Sequence, residues 1–407
     1  MSTGNVARKP RLLVLNQYYW PGLEATGHLL SELLAALSSE FDISIVTGRI
    51  AVHAPHAERL EHDGVSIIRV RSTAYDRTRL LARSVNYLTY LAESLRVALL
   101  SRRPDVVFCM TDPPVIGNVA LVVARRFRRP LVVVSQDVFP EIAVELKRLE
   151  NPLLVGLLRR LIASYLKSAD RVVAIGETMR QRLEQKGARP DRIVVIPNWV
   201  DTTAIVPQPR ENAWAREHDL VDRFVVMHSG NVGHPQNLDV LIRAATFLRD
   251  LDDLAIVIVG GGARRAELME LAERLEVDAV RFLHYQPRET LSSSLSTAHV
   301  HYVGLGRGLS GYVVPSRMYG ILSAGRPVLV AADADSETAS IVTSVGCGIL
   351  VPPNRPELVA ETIRAAYDGH HDLEAMGRRG REYVVREADR HVAVGRYREL
   401  LREIVAY

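Results

Sequence analysis

A chain of 407 residues is longer than one ordinary α/β domain needs and accommodates two. Its 47% hydrophobic and 24% charged residues are those of a globular protein, and no repeat or low-complexity tract interrupts them. No apolar run reaches the roughly 18 to 20 residues of a membrane span. The net charge of +4 is unevenly spread: residues 1–200 carry 28 Lys/Arg against 19 Asp/Glu, and the remainder 23 against 28. A basic amino half is either an ordinary solvated face or a surface for an acidic partner such as a membrane, a phosphorylated acceptor or nucleic acid. The opening MSTGNVARKPRLLVLN lacks the apolar stretch of a signal peptide. Cys109 and Cys347 stand far apart without ligand spacing, as buried fillers in a reducing compartment would. The expected location is the cytoplasm.

Strand-like runs alternate with helical patterns, the signature of α/β architecture with parallel sheets. The first run is 11–16, followed by a turn with Pro21 and Gly22 and a helix over 29–37. Further strands are expected at 42–47, 65–70, 105–110, 130–135, 171–175 and 193–196. Their unbroken apolar character fits strands covered on both faces. Proline-rich PNWVDTTAIVPQPR then reads as a linker, and the pattern restarts at 224–228, 255–259, 280–283, 300–303, 327–331 and 348–351. The expected units are 1–205 and 206–387. A final helix near 388–407 packs on either.

Five stretches offer polar groups beyond strand ends, where open α/β sheets bind ligands. In the loop 17–28, Gly22 and Gly27 allow close approach while Glu24, Thr26 and His28 supply polar groups. In SQDVFPE, Asp137 either meets a ligand hydroxyl as base or positioner, or caps the next helix. SGNVGHPQN, with Asn231 and Gly233, forms a phosphate-sized nest before a helix. VGGGARRAEL brings Gly261 together with Arg264. The densest is 304–327, where Gly304, Gly306, Gly308 and Gly311 make a loop able to wrap a polar ligand. Pro315 and Ser316 then open a helix with Arg317 beside its free amides, a pairing suited to a diphosphate.

These phrases, in this order, resemble family 4 retaining glycosyltransferases of the GT-B fold, above all the bacterial surface-polysaccharide branch of colanic acid and O-antigen enzymes. DRVVAIGETMRQRLEQKG, RIVVIPNWVD, SGNVG, VGGGARRAEL, VRFLHYQPRETL, VPSRMYGILSAGRPVL and SETASIV carry the likeness in the carboxyl half, and NQYYWPG and SQDVFPE extend it to nearly the whole chain. The resemblance implies two facing Rossmann-like domains with a cleft between them, and a nucleotide-sugar donor held by the second. Residues 282–286 would line the base with Tyr285 at its edge. Asn231, Gly233, Gly261, Arg264, Ser316 and Arg317 would surround the diphosphate. Ser310, Gly311 and Tyr312 would meet the sugar, with Glu337 also on the donor side. Glu24, Thr26, His28 and Asp137 would face the acceptor, Asp137 being the one catalytic candidate.

Departures from the family pattern are specific. Two glutamates eight positions apart are replaced by Tyr312 and Gly320, the Arg and Lys of the SGN turn by Asn231 and Gln236, and a histidine before Asp137 by Gln136. Transfer with retention to a lipid-linked glycan or small natural product is the leading expectation, with no cofactor and no metal. A nucleotide-sugar 2-epimerase of the same fold and a non-catalytic nucleotide-sugar-binding protein are the alternatives.

Other features read as structural. Asp333 and Asp335 form a D-x-D in a turn after a strand, and His299 and His301 share a strand face without a third ligand. His53, His56 and His62 read as surface. In PLLVGLLRRLIASYLKSADR, Leu154, Leu157, Leu158, Leu161 and Tyr165 share one helical face, which packs on the sheet or rests on an anionic bilayer. Nucleic acid is not expected as a partner, because the arginines are not interleaved with aromatics on a recognisable module.

Overall fold

The computed structural model describes residues 8–22, 25–49, 58–73 and 80–406, which group into two compact units. One runs to Pro197 and takes back Val394–Tyr407; the other is Asn198–Ala393.

The first unit contains β1 (Arg11–Leu15), β2 (Asp42–Thr47), β3 (Glu58–His62), β4 (Val65–Arg69), β5 (Val106–Met110), β6 (Leu131–Ser135), β7 (Arg171–Ala174) and β8 (Ile193–Val195). Their order is β3-β4-β2-β1-β5-β6-β7-β8, parallel throughout except for β3 against β4. β5 and β6 are buried at every position, as expected of central parallel strands with helices on both faces. Strand β3 was absent from the sequence expectation because ERLEH is polar and half-exposed. It exists as the edge of a hairpin turned by Asp63 and Gly64, both at positive φ (50° and 73°), the conformation a tight two-residue hairpin turn requires. His62 therefore does not stand free on the surface: its ring stacks on Trp20 at 3.8 Å. His53 and His56 lie outside the described residues.

The helix Pro152–Ser168 starts where expected, with the Asn151 side chain accepting from the Leu153 and Leu154 amides and Pro152 in the first turn. The leucine face is not the packed one. Val155, Ile162, Tyr165 and Leu166 are buried, and the Tyr165 ring lies against Gly117 of the neighbouring helix Ile116–Phe127. Leu153, Leu157, Leu154 and Leu161 remain 84%, 54%, 43% and 37% exposed. No described helix is long and apolar enough to cross a membrane.

The second unit has β9 (Phe224–Ser229), β10 (Leu254–Val259), β11 (Val280–Leu283), β12 (Val300–Gly304), β13 (Val328–Ala331) and β14 (Gly348–Val351), ordered β11-β10-β9-β12-β13-β14 and all parallel. Order reverses across β9 and β12, so the loops after β9, β10 and β12 meet at one switch point.

The segment read as a linker is stitched to this unit. Thr202 Oγ1 donates to Asp389 Oδ2 at 2.6 Å, Arg381 donates to the Thr202 and Ile205 carbonyls, and the Val206 and Gln208 amides donate to Ser292 and Ser296. The final helix, Arg390–Ala406, joins the first unit: Tyr397 meets Phe108 edge-on at 6.4 Å, and Arg398 and Arg402 pair with Glu40.

Candidate active site

At the carboxyl ends of β9 and β10 two glycine turns are knitted together. The Val232 amide donates to Gly261 O (2.8 Å) and the Arg264 amide to Val232 O (3.1 Å). A Cβ on Gly260 would stand 1.9 Å from Gly230 O, and one on Gly262 2.4 Å from Val232 O, so no side chain fits at either position. Both sit at φ above +130°, where glycine is at home. Gly233 closes its own turn by donating to Gln236 Oε1 at 2.9 Å. Asn231 and Gln236, standing where the family pattern has cations, thus build the turn: Gln236 caps it, and Asn231 offers its carbonyl to His228.

Arg317 comes to this turn from the far side of the switch point. It is the first residue of the helix Arg317–Ser323, and its Cδ lies 4.0 Å from where a Cβ on Gly230 would be. Pro315 precedes this helix instead of opening its first turn, and Ser316 holds the cap position without a side-chain cap bond. Burial pushes the guanidinium down to about 10 while the nearby Tyr285 and Tyr302 hydroxyls favour its charge. Among the described residues no carboxylate pairs with it. Its Nη1 instead lies 3.0 Å from Nδ1 and 3.1 Å from Nε2 of His228.

Arg264 is placed differently from expectation. It forms a 2.8 Å ion pair with Asp239 and a 2.6 Å pair with Glu267, so two carboxylates already balance its charge. Of Arg264 and Arg317, only Arg317 is left without a carboxylate partner among the described residues.

Tyr285 is 61% exposed, with its ring over Gly261 and its hydroxyl 3.4 Å from Gly261 O. Behind it Trp214 Nε1 donates to Gln286 Oε1 at 2.7 Å, and Gln286 Nε2 donates to His284 O, which fixes the loop after β11. Ser310 and Gly311 are buried, and Tyr312 donates its amide to Leu309 O. The glycine-rich loop holding them is tethered by Asp333, whose Oδ2 accepts from Gly308 N at 2.7 Å. Asp333 is therefore an anchor for this loop and not merely a solvated turn residue. Glu337 begins the next helix behind Ser336, which caps it through the Ala339 amide.

Sequence reasoning missed His228. It is fully buried at the end of β9, and burial together with the Arg317 charge drives its pKa well below the ordinary 6.5. A histidine in an otherwise apolar central strand, two residues before a glycine turn, was the available signal. The other strand histidines are structural: His299 precedes β12, stacks on Phe224 and accepts from the Val225 amide, while His301 bonds to Leu295 O. Among the described residues no three His, Cys, Asp or Glu side chains gather as a metal ligand set.

In the first unit the helix begins at Ala25, so Thr26 and His28 ride its first turn and not a loop. Thr26 Oγ1 donates to Asp112 Oδ2 at 2.8 Å, and His28 bonds to Glu32 at 3.1 Å. Glu24 lies outside the described residues. Asp137 is exposed, and its carbonyl accepts from Ser135; the next helix, Glu141–Glu145, is capped at Pro140 without a side-chain bond. Asn16 and Gln17 are buried at the end of β1, and Asn16 Oδ1 and Gln17 Oε1 accept no hydrogen bond from the described residues.

Two parallel Rossmann-like sheets, the second bearing glycine turns at its switch point, form the GT-B fold, and the chain belongs to the family 4 glycosyltransferases. A glycosyl transferase 4-like domain model matches residues 22–199, and a glycosyl transferases group 1 model matches 211–383. The chain is similar to the glycosyltransferase WbjE of Pseudomonas aeruginosa, at 24% identity over 97% of this chain and 98% of that one. It also resembles WcaI of Escherichia coli strain K12, a glycosyl transferase named for colanic acid biosynthesis. That match is 30% identical over 50% of this chain and 51% of WcaI. Among solved structures, Anabaena HepE in complex with UDP and glucose superposes with a TM-score of 0.74 at 15% identity, over 97% of this chain and all of that one.

Proposed function

We propose that this glycosyltransferase takes a nucleoside-diphosphate sugar in its second unit and transfers the sugar, with retention, to a hydroxyl of a lipid-linked glycan or small natural product. The observation that carries this reading is Arg317: a largely buried guanidinium with no carboxylate partner among the described residues, set against the Gly230–Gly233 turn. A buried charge without a counter-ion is costly, and an anionic ligand relieves that cost. HepE holding UDP and WcaI being named for a polysaccharide support a nucleotide sugar and a glycan in these roles.

The anomeric carbon's bond to the phosphate oxygen breaks as Arg317 neutralises the departing diphosphate, so no metal ion is needed for that charge. The acceptor oxygen bonds to the same face, and its proton passes to the departing phosphate. Asp137 positions the acceptor hydroxyl.

The exposed leucines of Pro152–Ser168 suit peripheral contact with the inner face of a membrane carrying a lipid-linked acceptor. Neither this helix nor Ile116–Phe127 beside it contains an acidic residue, and Arg160, Lys167, Arg125 and Arg126 are exposed along them. The protein is expected to sediment with anionic vesicles at low salt, and Leu153→Ser/Leu157→Ser/Leu161→Ser to stay in the supernatant; wild-type protein left unbound would end that part of the reading.

The activity test is incubation with UDP-, GDP-, ADP- and dTDP-sugars. Slow release of free sugar supports transfer. Formation of an epimer would replace the reading with an epimerase, and binding without turnover would replace it with a non-catalytic protein.

A further inference from the structure

We propose that His228 is a positioning residue for the donor phosphates: it holds the Arg317 guanidinium against the Gly230–Gly233 turn through a neutral imidazole that bridges the two. The inference rests on the reading of Arg317 as the diphosphate ligand, and it assigns a role to a residue that touches no substrate.

Three observations converge. His228 is wholly enclosed at the end of β9, one residue from the strand's last position, so its backbone is fixed by pairing with β10 on one side of the switch point. Its Nε2 stands 3.3 Å from Asn231 O, inside the glycine turn. Its ring nitrogens stand 3.0 and 3.1 Å from one atom of Arg317, which belongs to a different element, the helix after β12. With its proton on Nε2 the ring donates to Asn231 O, and Nη1 of Arg317, almost equidistant from the two ring nitrogens, rests over the face of the neutral ring and on neither lone pair.

The same arrangement explains why the imidazole stays uncharged. The groups facing it are Arg317, His301 and the carbonyls of Asn231 and Tyr302, with no carboxylate to stabilise an imidazolium. A protonated ring would also turn two positive groups on each other. Neutral His228 thus fixes the direction of the guanidinium without consuming its charge, whereas a carboxylate would neutralise it. Arg264, held by Asp239 and Glu267, shows the contrasting case at the same turn, where its amide donates to Val232 O.

The test is a double-mutant cycle in the full chain, read as affinity for whichever of UDP, GDP, ADP and dTDP binds wild type most tightly. His228→Leu removes the ring face and the donor to Asn231 O together. It should weaken nucleoside-diphosphate binding about 10-fold, the worth of a desolvated cation on an aromatic face, and raise KM for the donor more than it lowers kcat. In an Arg317→Ala background the same change should have no further effect. His228→Phe, which returns the ring face without the donor, should recover most of the affinity. Additive effects in the cycle, or full nucleotide affinity in folded His228→Leu, would overturn the proposal while leaving the donor site intact. If no nucleoside diphosphate bound wild type, the donor-site reading would fall, and this role for His228 with it.

Discussion

The two sheets share a plan but manage charge in opposite ways. In the second unit, turns after β9 and β10 exclude side chains so that backbone and one unpaired guanidinium crowd together, with the neighbouring arginine already matched to acids. In the first unit, the strand ends carry neutral amides and hydroxyls (Asn16, Gln17, Thr47, Thr111, Gln136), nearly all buried, with Asp112 and Asp137 as the carboxylates. On the proposed reading, the first of these sets would meet an anion and the second hydroxyl groups. The lesson is that net charge is a poor guide to a site. The half of the chain with the acidic balance holds Arg317 without a carboxylate partner among the described residues, while Asp239 and Glu267 beside it are taken up by Arg264.

The largest expected effect breaks this contrast at its centre. Arg317→Ala should lower kcat/KM by roughly 10²- to 10³-fold, the range seen when one donor to a developing negative charge is removed, measured as initial rates with saturating acceptor. A loss no greater than that from Asp333→Ala would refute the division of roles.

Acid should separate the units next. His301 and His299 are held down to about 4 by burial, and His228 well below 6.5. The unfolded chain binds protons at these sites more readily, so their contribution is whole above pH 6.5 and is lost as pH falls toward 4. His301 alone is worth on the order of 3 kcal/mol across that window. In urea titrations of the full chain, fluorescence of the buried Trp214 should report earlier unfolding at pH 5 than at pH 7, and His301→Gln should flatten the slope.

Gly262→Ala should cost about 1 to 3 kcal/mol from backbone strain alone and also abolish nucleotide binding, because its Cβ would meet Val232 O. Asp333→Ala, which frees the Gly308 amide, should raise donor KM up to about tenfold with little change in Tm. The smallest effect belongs to the first unit: Thr26→Val should cost about 1 kcal/mol and change acceptor KM while leaving nucleotide affinity untouched.

Much of this was legible in the sequence. Buried parallel strands announce themselves as short apolar runs, and thirteen of the fourteen strands among the described residues were placed to within a residue at most ends. Strand β3 escaped because its pairing depends on the Asp63–Gly64 turn and not on apolar side chains. Arg317 could be read from its place beside a glycine-rich loop, whereas the neutralisation of Arg264 could not, since Asp239 lies twenty-five residues away on another helix. His228 was invisible for a related reason: its partner is 89 residues downstream. Of the face expected on Pro152–Ser168, Tyr165 packs against Gly117 of the neighbouring helix while Leu154, Leu157 and Leu161 stay exposed, a division that sequence periodicity alone left open.

The return of the last helix has a practical consequence for anyone shortening the gene. Val200 donates to Ala388 O and Arg390 donates back to Val200 O, so the outgoing and returning segments are clasped together at one edge of the second unit. Past that clasp, Tyr397 and the Glu40-bound arginines belong to the opposite end of the polypeptide. Removing the final helix would therefore injure the amino-terminal module, because Phe108 and Glu40 would lose these partners.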